Sequence, residues 1–135
     1  MPRSGAKGIV YNSLIYFFGG YQKKTGEYYN DLFYYDIERK RWDNIAQVGD
    51  CPSNRTDHTL SLYDGSLYVF GGYDGKARFG DLYKCSLKSS KYKWRLIEGD
   101  GVGPLNRFGH TAVVFDNSLY IFGGWNGHYT MDDLF

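Results

Sequence analysis

The chain has 135 residues, enough for one modest domain with its own core. Sixteen Lys and Arg against fifteen Asp and Glu leave a formal net charge of +1. That balance gives no electrostatic reason to expect nucleic acid or an anionic membrane as partner, and no apolar run approaches the ~20 residues of a membrane helix. Aromatic residues make up 19% of the chain, 14 of them Tyr, and there are 18 Gly; aromatic-rich segments punctuated by glycine suit short β-strands joined by tight turns.

The first residues, Met1-Pro2-Arg3-Ser4-Gly5, lack the apolar core of a signal peptide. A strand is predicted over 7–11, then a two-residue turn, Asn12-Ser13, of a type that tolerates positive φ. The next strand, Ile15-Tyr16-Phe17-Phe18, is apolar on both faces and so belongs in mid-sheet. Gly19-Gly20 end it, where glycine permits close backbone approach or a conformation closed to other residues. A loop from Tyr21 to Tyr29 leads to a third strand opened by Asp31-Leu32-Phe33. A fourth carries Trp42 and Ile45, and Pro52-Ser53-Asn54-Arg55 link onward.

Everything then recurs. Gly71-Gly72 and Gly123-Gly124 follow Gly19-Gly20 at steps of 52 residues. The same step joins Arg3, Arg55 and Arg107; Tyr16, Tyr68 and Tyr120; Trp42 and Trp94; Pro52 and Pro104; His58 and His110. Residues 56–83 and 108–135 are identical at 12 of 28 positions without a gap. The turn dipeptides become Asp64-Gly65 and Asp116-Asn117, and the third strand opens with Asp81-Leu82-Tyr83 or Asp133-Leu134-Phe135. Length differences fall in loops, where they are cheap. The second Gly and the Asp are 11 residues apart in the first copy and 9 in the others.

Four antiparallel strands every ~50 residues describe a propeller blade. Paired glycine after an aromatic strand, Tyr four residues before the second Gly, Asp-Leu-aromatic, then Trp about ten residues on: this pattern resembles the kelch family along the whole chain. The 52-residue period is similar to that of the longer-repeat kelch proteins, such as Rab effectors and host-cell-factor-like or leucine-zipper-like regulators. The resemblance implies an all-β fold of four-stranded kelch-type blades, with residues 1–135 forming a partial β-propeller. Repeat 1 covers 3–54, repeat 2 covers 55–106, and a truncated repeat 3 covers 107–135. That is about 2.6 blades where a ring takes ~4 to 8. The expectation is either a piece of a larger propeller or a short chain that self-associates to complete one, because terminal blade faces are apolar and uncovered.

The recurring Gly pairs, Tyr16, Tyr68, Tyr120, Trp42 and Trp94 read as scaffold, since a structural role predicts recurrence whereas an active site is usually made once. His58 and His110 read as buried, hydrogen-bonded histidines near the axis rather than as metal ligands. Cys51 and Cys85 cannot form a disulfide framework and read as reduced thiols of a cytosolic or nuclear protein. The iron-dependent plant specifier proteins of the family would imply Glu-x3-Asp-x3-His. Here Glu27 and Asp31 are followed by Tyr35, and no Tyr–Cys pairing points to a copper radical site. No cofactor, metal or catalytic residue is expected. The function the resemblance implies is protein–protein interaction, as the kelch part of an adaptor, effector or scaffold; the alternative is a kelch-fold metalloenzyme whose site lies in blades outside this chain.

What differs between copies is the better guide to contact. The loops after the Gly pairs combine aromatics with charged or amide groups, the residue types found at binding hot spots. The candidates for binding another protein are Lys23, Lys24, Tyr28 and Tyr29; Asp74, Lys76, Arg78 and Phe79; Asn126, His128 and Tyr129. Arg55 and Arg107, on linkers expected at the same end, join them. The first loop aromatics, Tyr21, Tyr73 and Trp125, read instead as packing on the neighbouring blade.

Overall fold

The computed structural model describes all residues, 1–135, and is all-β with no helix. Strands β1 (Lys7–Tyr11), β2 (Leu14–Phe18), β5 (Leu32–Asp36) and β6 (Arg41–Asn44) form the first antiparallel sheet in that order. Between them β3 (Tyr21–Gln22) and β4 (Glu27–Tyr28) fold the first post-glycine loop into a small hairpin of its own. The second sheet has five strands, ordered β7 (Gln47–Gly49), β11 (Tyr92–Ile97), β10 (Arg78–Ser86), β9 (Ser66–Tyr73) and β8 (Thr59–Tyr63). The third comprises β12 (Thr111–Phe115) and β13 (Ser118–Phe122), with a further strand reduced to a bridge between Phe122 and Leu134.

The fifth strand of the second sheet departs from the four-strand expectation. Residues 47–49 belong to the first copy by the 52-residue frame, yet they pair in parallel with β11, Tyr92 opposite Gln47 and Trp94 opposite Gly49. The linker thereby covers the outer edge of the next blade, whose N–H and C=O groups would otherwise lie bare.

Local chemistry sets the corners. Asp64 and Gly65 both have positive φ (45° and 65°), as do Asp116 and Asn117 (44° and 61°), the geometry whose twist matches a two-residue hairpin. In the first copy only Asn12 is positive. The Gly pairs repeat one conformation, φ +68° and +107° at Gly19 and Gly20, +66° and +108° at Gly71 and Gly72, +67° and +98° at Gly123 and Gly124. A Cβ on Gly19 would also sit 2.6 Å from the Arg55 carbonyl oxygen. Conformation and space exclude side chains there together.

The core lies between sheets. Tyr16, Phe18, Leu32 and Ile45 of the first blade meet Leu67, Val69, Cys85, Leu87 and Trp94 of the second. Trp94 is fully buried, its ring 5.4 Å from that of Phe18 and its indole N–H donating to Gln47 Oε1 at 2.7 Å. The scaffold reading of Trp42 and Tyr120 needs correction for this chain. Trp42 is 60% exposed, its ring set against those of Phe17, Phe33 and Tyr35 of its own sheet, and Tyr120 is 39% exposed. Tyr16 is buried and Tyr68 half-buried. A repeat position becomes core only where a neighbouring blade covers it.

His58 and His110 are buried just ahead of the innermost strands, set edge-on to Phe18 (5.4 Å, 83°) and Phe70 (5.1 Å, 79°). His110 Nε2 lies 3.0 Å from Thr59 Oγ1, whereas neither ring nitrogen of His58 makes a well-aligned hydrogen bond. Aromatic packing, not the expected hydrogen bonding, holds His58. Burial, with the charges of Arg55 and Lys7 adding, pushes its pKa down to about 3; burial and Arg107 push His110 down to about 4.

Two outcomes follow from this core. Trp94→Ala should cost about 3–5 kcal/mol in urea unfolding, the range for a large aromatic removed from a packed interior; a loss under ~1 kcal/mol would mean the blade interface does not carry the fold. Both histidines titrate lower folded than unfolded. Their contribution to stability is therefore complete above the unfolded value of 6.5 and is lost as pH falls toward 4 and then 3. Unfolding free energies at pH 7, 5.5 and 4.5 should fall by up to about 1.4 kcal/mol per pH unit for each imidazole. A flat profile, or one unchanged by His110→Gln, would count against it.

Candidate functional site

Each first strand starts, and each second strand ends, at the same end of its sheet. The post-glycine loops and the linkers carrying Arg55 and Arg107 therefore share one end, and the two-residue turns occupy the other. Isolated bridges repeat this meeting in every blade: Ser4 with Tyr21, Thr56 with Tyr73, Phe108 with Trp125.

The arginines do not point outward from that end. Arg55 and Arg107 are both fully buried, which removes them from the candidate contact residues. Arg55 Nη1 donates to the Gly71 carbonyl at 3.0 Å, and the guanidinium forks onto Asp81 at 2.6 and 3.2 Å. Arg107 repeats the fork on the Gly123 carbonyl (3.0 Å) and Asp133 (2.5 and 2.8 Å), and Arg3 does the same with Gly19 and Asp31. Aromatic rings lie beneath each plane: Tyr29 and Phe33 under Arg3, Phe79 and Tyr83 under Arg55, Phe135 under Arg107. Bidentate pairing and stacking on a ring are what distinguish arginine from lysine. Tyr29 and Phe79, read as contact residues, are thus half-buried parts of these clamps. Arg107 holds the Asp133 carboxyl below the usual carboxylate range.

Two further candidates build loops rather than offer contacts. Asp74 Oδ1 accepts from the backbone N–H groups of Lys76 and Ala77, and Asn126 Oδ1 from those of His128 and Tyr129. Lys23, Lys24, Lys76, His128 and Tyr129 project into solvent from the loop tips. Arg78 is half-buried, its guanidinium over the Tyr73 ring at 5.5 Å and against Gly127; a Cβ on Gly127 would lie 2.4 Å from Arg78 Nε. An aromatic ladder joins the loops: Tyr21 to Tyr28 at 4.6 Å, Tyr28 to Tyr73 at 6.2 Å, Tyr73 to Phe108 at 5.1 Å. Phe108 carries no signal in the repeat pattern, because the other copies have Ser4 and Thr56 at its position. Beside the ladder, Glu27, Tyr28, Tyr29, Asn30, Asp31 and Asn54 line an open polar cleft.

In chemical terms this end offers hydrogen-bond donors, cations and ring faces. No three His, Cys, Asp or Glu side chains gather into a metal-sized group. Asp31, the central residue of the Glu27–Asp31–Tyr35 series, is engaged by Arg3. Burial pushes the Cys85 thiol up to about 12 and raises that of Cys51, so neither is a poised nucleophile. Arg55→Ala should destabilise by about 3–5 kcal/mol, because it strands the half-buried Asp81 carboxylate and the Gly71 carbonyl. Arg55→Lys should recover only part of that loss, since an ammonium cannot fork. Denaturant titration of both variants checks the order, and equal stability of Arg55→Lys and the parent would contradict it.

Comparison with known proteins agrees with this geometry. Residues 5–135 match the KLHDC2/KLHL20/DRC7 Kelch-repeats domain. The chain is 35% identical to human host cell factor 2 over 144 residues, covering 94% of this chain and 18% of that protein. It is 34% identical over 107 residues to Ras guanine nucleotide exchange factor F of Dictyostelium discoideum, covering 78% of this chain and 9% of that protein. A leucine-zipper-like transcriptional regulator 1 homolog of Drosophila melanogaster is 27% identical over 140 residues, covering 98% of this chain and 14% of that protein. The chain therefore spans less than a fifth of the length of these relatives. With its forked arginines, paired glycines and Asp-Leu-aromatic strands in register, the chain belongs to the kelch-repeat family.

Proposed function

We propose that residues 1–135 act as a protein-interaction module, not a catalyst, and engage a partner protein through the loop end of the blades. The observation that carries this reading is the division of labour among side chains. The recurring residues are consumed by clamps and core, while the variable ones at the loop tips are free. Lys23, Lys24 and Lys76 form no salt bridge, and neither do Arg78 and His128. They surround a rigid aromatic ladder and the cleft at Glu27–Asn30. Rigid rings flanked by adaptable cations are what a recognition surface needs, since the rings lose little entropy on binding. The two free thiols accord with a reducing compartment, cytosol or nucleus.

A photo-crosslinking residue placed at position 24, 76 or 128 should capture the same partner protein from extract of the native cell. Placed at position 12, 64 or 116, at the turn end, it should not. The triple variant Lys23→Glu, Lys24→Glu, Lys76→Glu, at three exposed loop-tip positions, should reduce capture at least tenfold with an unchanged denaturant midpoint. Capture confined to the turn end, or indifferent to the triple variant, would refute the loop end as the docking surface.

A further inference from the structure

The second and third post-glycine loops make the same turn around different capping residues. In the second, Asp74 Oδ1 accepts from the N–H groups of Lys76 and Ala77 at 2.8 and 2.7 Å, and the Asp74 N–H reaches the Ala77 carbonyl at 3.3 Å. In the third, Asn126 Oδ1 accepts from His128 and Tyr129 at 2.9 and 3.0 Å, and the Asn126 N–H reaches the Tyr129 carbonyl at 3.4 Å. Glycine follows in both, at φ +94° for Gly75 and +98° for Gly127. One position thus holds aspartate in one blade and asparagine in the next, on the same backbone.

Asparagine before glycine carries a reaction within its own backbone. The Gly127 nitrogen can attack the Asn126 side-chain amide carbon, since glycine has no Cβ to crowd the approach. No other asparagine of the chain precedes glycine. The turn presents both reactants. The Gly127 N–H donates to no carbonyl, so its attack breaks no hydrogen bond. Asn126 Oδ1 already lies on two backbone N–H groups, which stabilise the negative charge that collects on this oxygen as the amide carbon becomes tetrahedral. The fold also holds glycine at 127. Its φ is in the left-handed region and its backbone packs on the Arg78 guanidinium, where a Cβ would collide. Asn126 is half-buried, and so is Asp74, although the third blade stands beside it; Gly75 is exposed. A neighbouring blade therefore does not close this turn to water.

We propose that Asn126-Gly127 is a site of spontaneous deamidation, which writes a carboxylate into the loop end of the third blade. The Gly127 nitrogen bonds to Asn126 Cγ and gives up its proton. The Cγ–Nδ2 bond breaks, and ammonia leaves with that proton. Water then opens the cyclic imide at either carbonyl. Opening at Cγ restores the main chain and leaves aspartate. Opening at the main-chain carbonyl leaves isoaspartate, with the chain rerouted through Cγ and lengthened by a carbon. Aspartate keeps the turn, as Asp74 does in the same molecule. Isoaspartate breaks the cap and displaces the tip at His128 and Tyr129. Either way the new charge arises beside Arg78, which forms no salt bridge and whose Nε is buried without a hydrogen-bond partner. The reaction does not depend on what docks at this end, yet it changes the charge that any partner meets there.

Mass spectrometry of tryptic digests tests this, on folded chain incubated at pH 8 with an unincubated digest as background. The peptide that starts at Phe108 carries both Asn117 and Asn126, so it holds its own control. Asn126 should gain the mass of an amide exchanged for a carboxyl roughly tenfold faster than Asn117, because only Asn126 precedes a residue without Cβ. The reaction should slow at pH 6, where the attacking nitrogen loses its proton less readily. Isoaspartate-specific methylation should label the incubated parent and leave Asn126→Gln unlabelled. Asn126→Asp should keep the parent's denaturant midpoint. Equal rates at Asn117 and Asn126 would overturn the site. Slower reaction at Asn126 in the folded chain than in urea would overturn the part assigned to the turn, and a lowered midpoint for Asn126→Asp would show that the fold rejects the product.

Discussion

Arg55 and Arg107 each join two blades at once. The backbone of Arg55 is hydrogen-bonded to the first blade, at Gly20 and Tyr29, while its guanidinium is forked onto Gly71 and Asp81 of the second. Arg107 repeats this between the second and third. A buried guanidinium is costly to desolvate unless its donors are satisfied and a carboxylate faces it. The Asp-Leu-aromatic motif meets that demand in three consecutive residues. Asp81 takes the fork, Leu82 turns to the opposite face, and Tyr83 lies under the guanidinium plane with Phe79. The Gly pairs belong to the same device. Only a residue without Cβ lets the Gly19 and Gly71 backbone approach the next arginine's carbonyl, at the positive φ that aims the strand end toward it.

Given that staple, the blades must stack, and burial follows from stacking. Tryptophan shows this most directly: Trp94 is core because the first blade covers it, while Trp42, the same residue one repeat earlier, is mostly wet. The histidines likewise exist as packing units. Set edge-on to Phe18 and Phe70, they are neutral at physiological pH because burial and the nearby arginines disfavour the imidazolium.

The scaffold uses the residues that recur and leaves those that do not. Arg55, Arg107, Tyr29 and Phe79 are absorbed into clamps, Asp74 and Asn126 into loop turns. Lysines at the tips and the ladder from Tyr21 to Phe108 remain at one end. Under the proposed reading, recognition is thereby separated from stability. Loop tips can vary without touching the arginine forks, which suits a family that spans proteins as different as host cell factor 2 and a Ras exchange factor.

The 52-residue period by itself determined the blades, their strands, the turn dipeptides and the place of the Gly pairs. These are local matters of alternation, positive φ and spacing, and a period multiplies each signal. It also determined that Asp31, Asp81 and Asp133 serve one structural purpose, without saying what. Tertiary structure decided the rest. It turned Arg55 and Arg107 inward, because their partners lie 26 residues away across two strands and a loop. It sent residues 47–49 to the next sheet, because that edge needed a partner. It brought Phe108 into a ladder that no periodicity marks, and it exposed Trp42 while burying Trp94. Sequence specifies which face of a strand is apolar; only the assembled blades decide whether another blade stands against it.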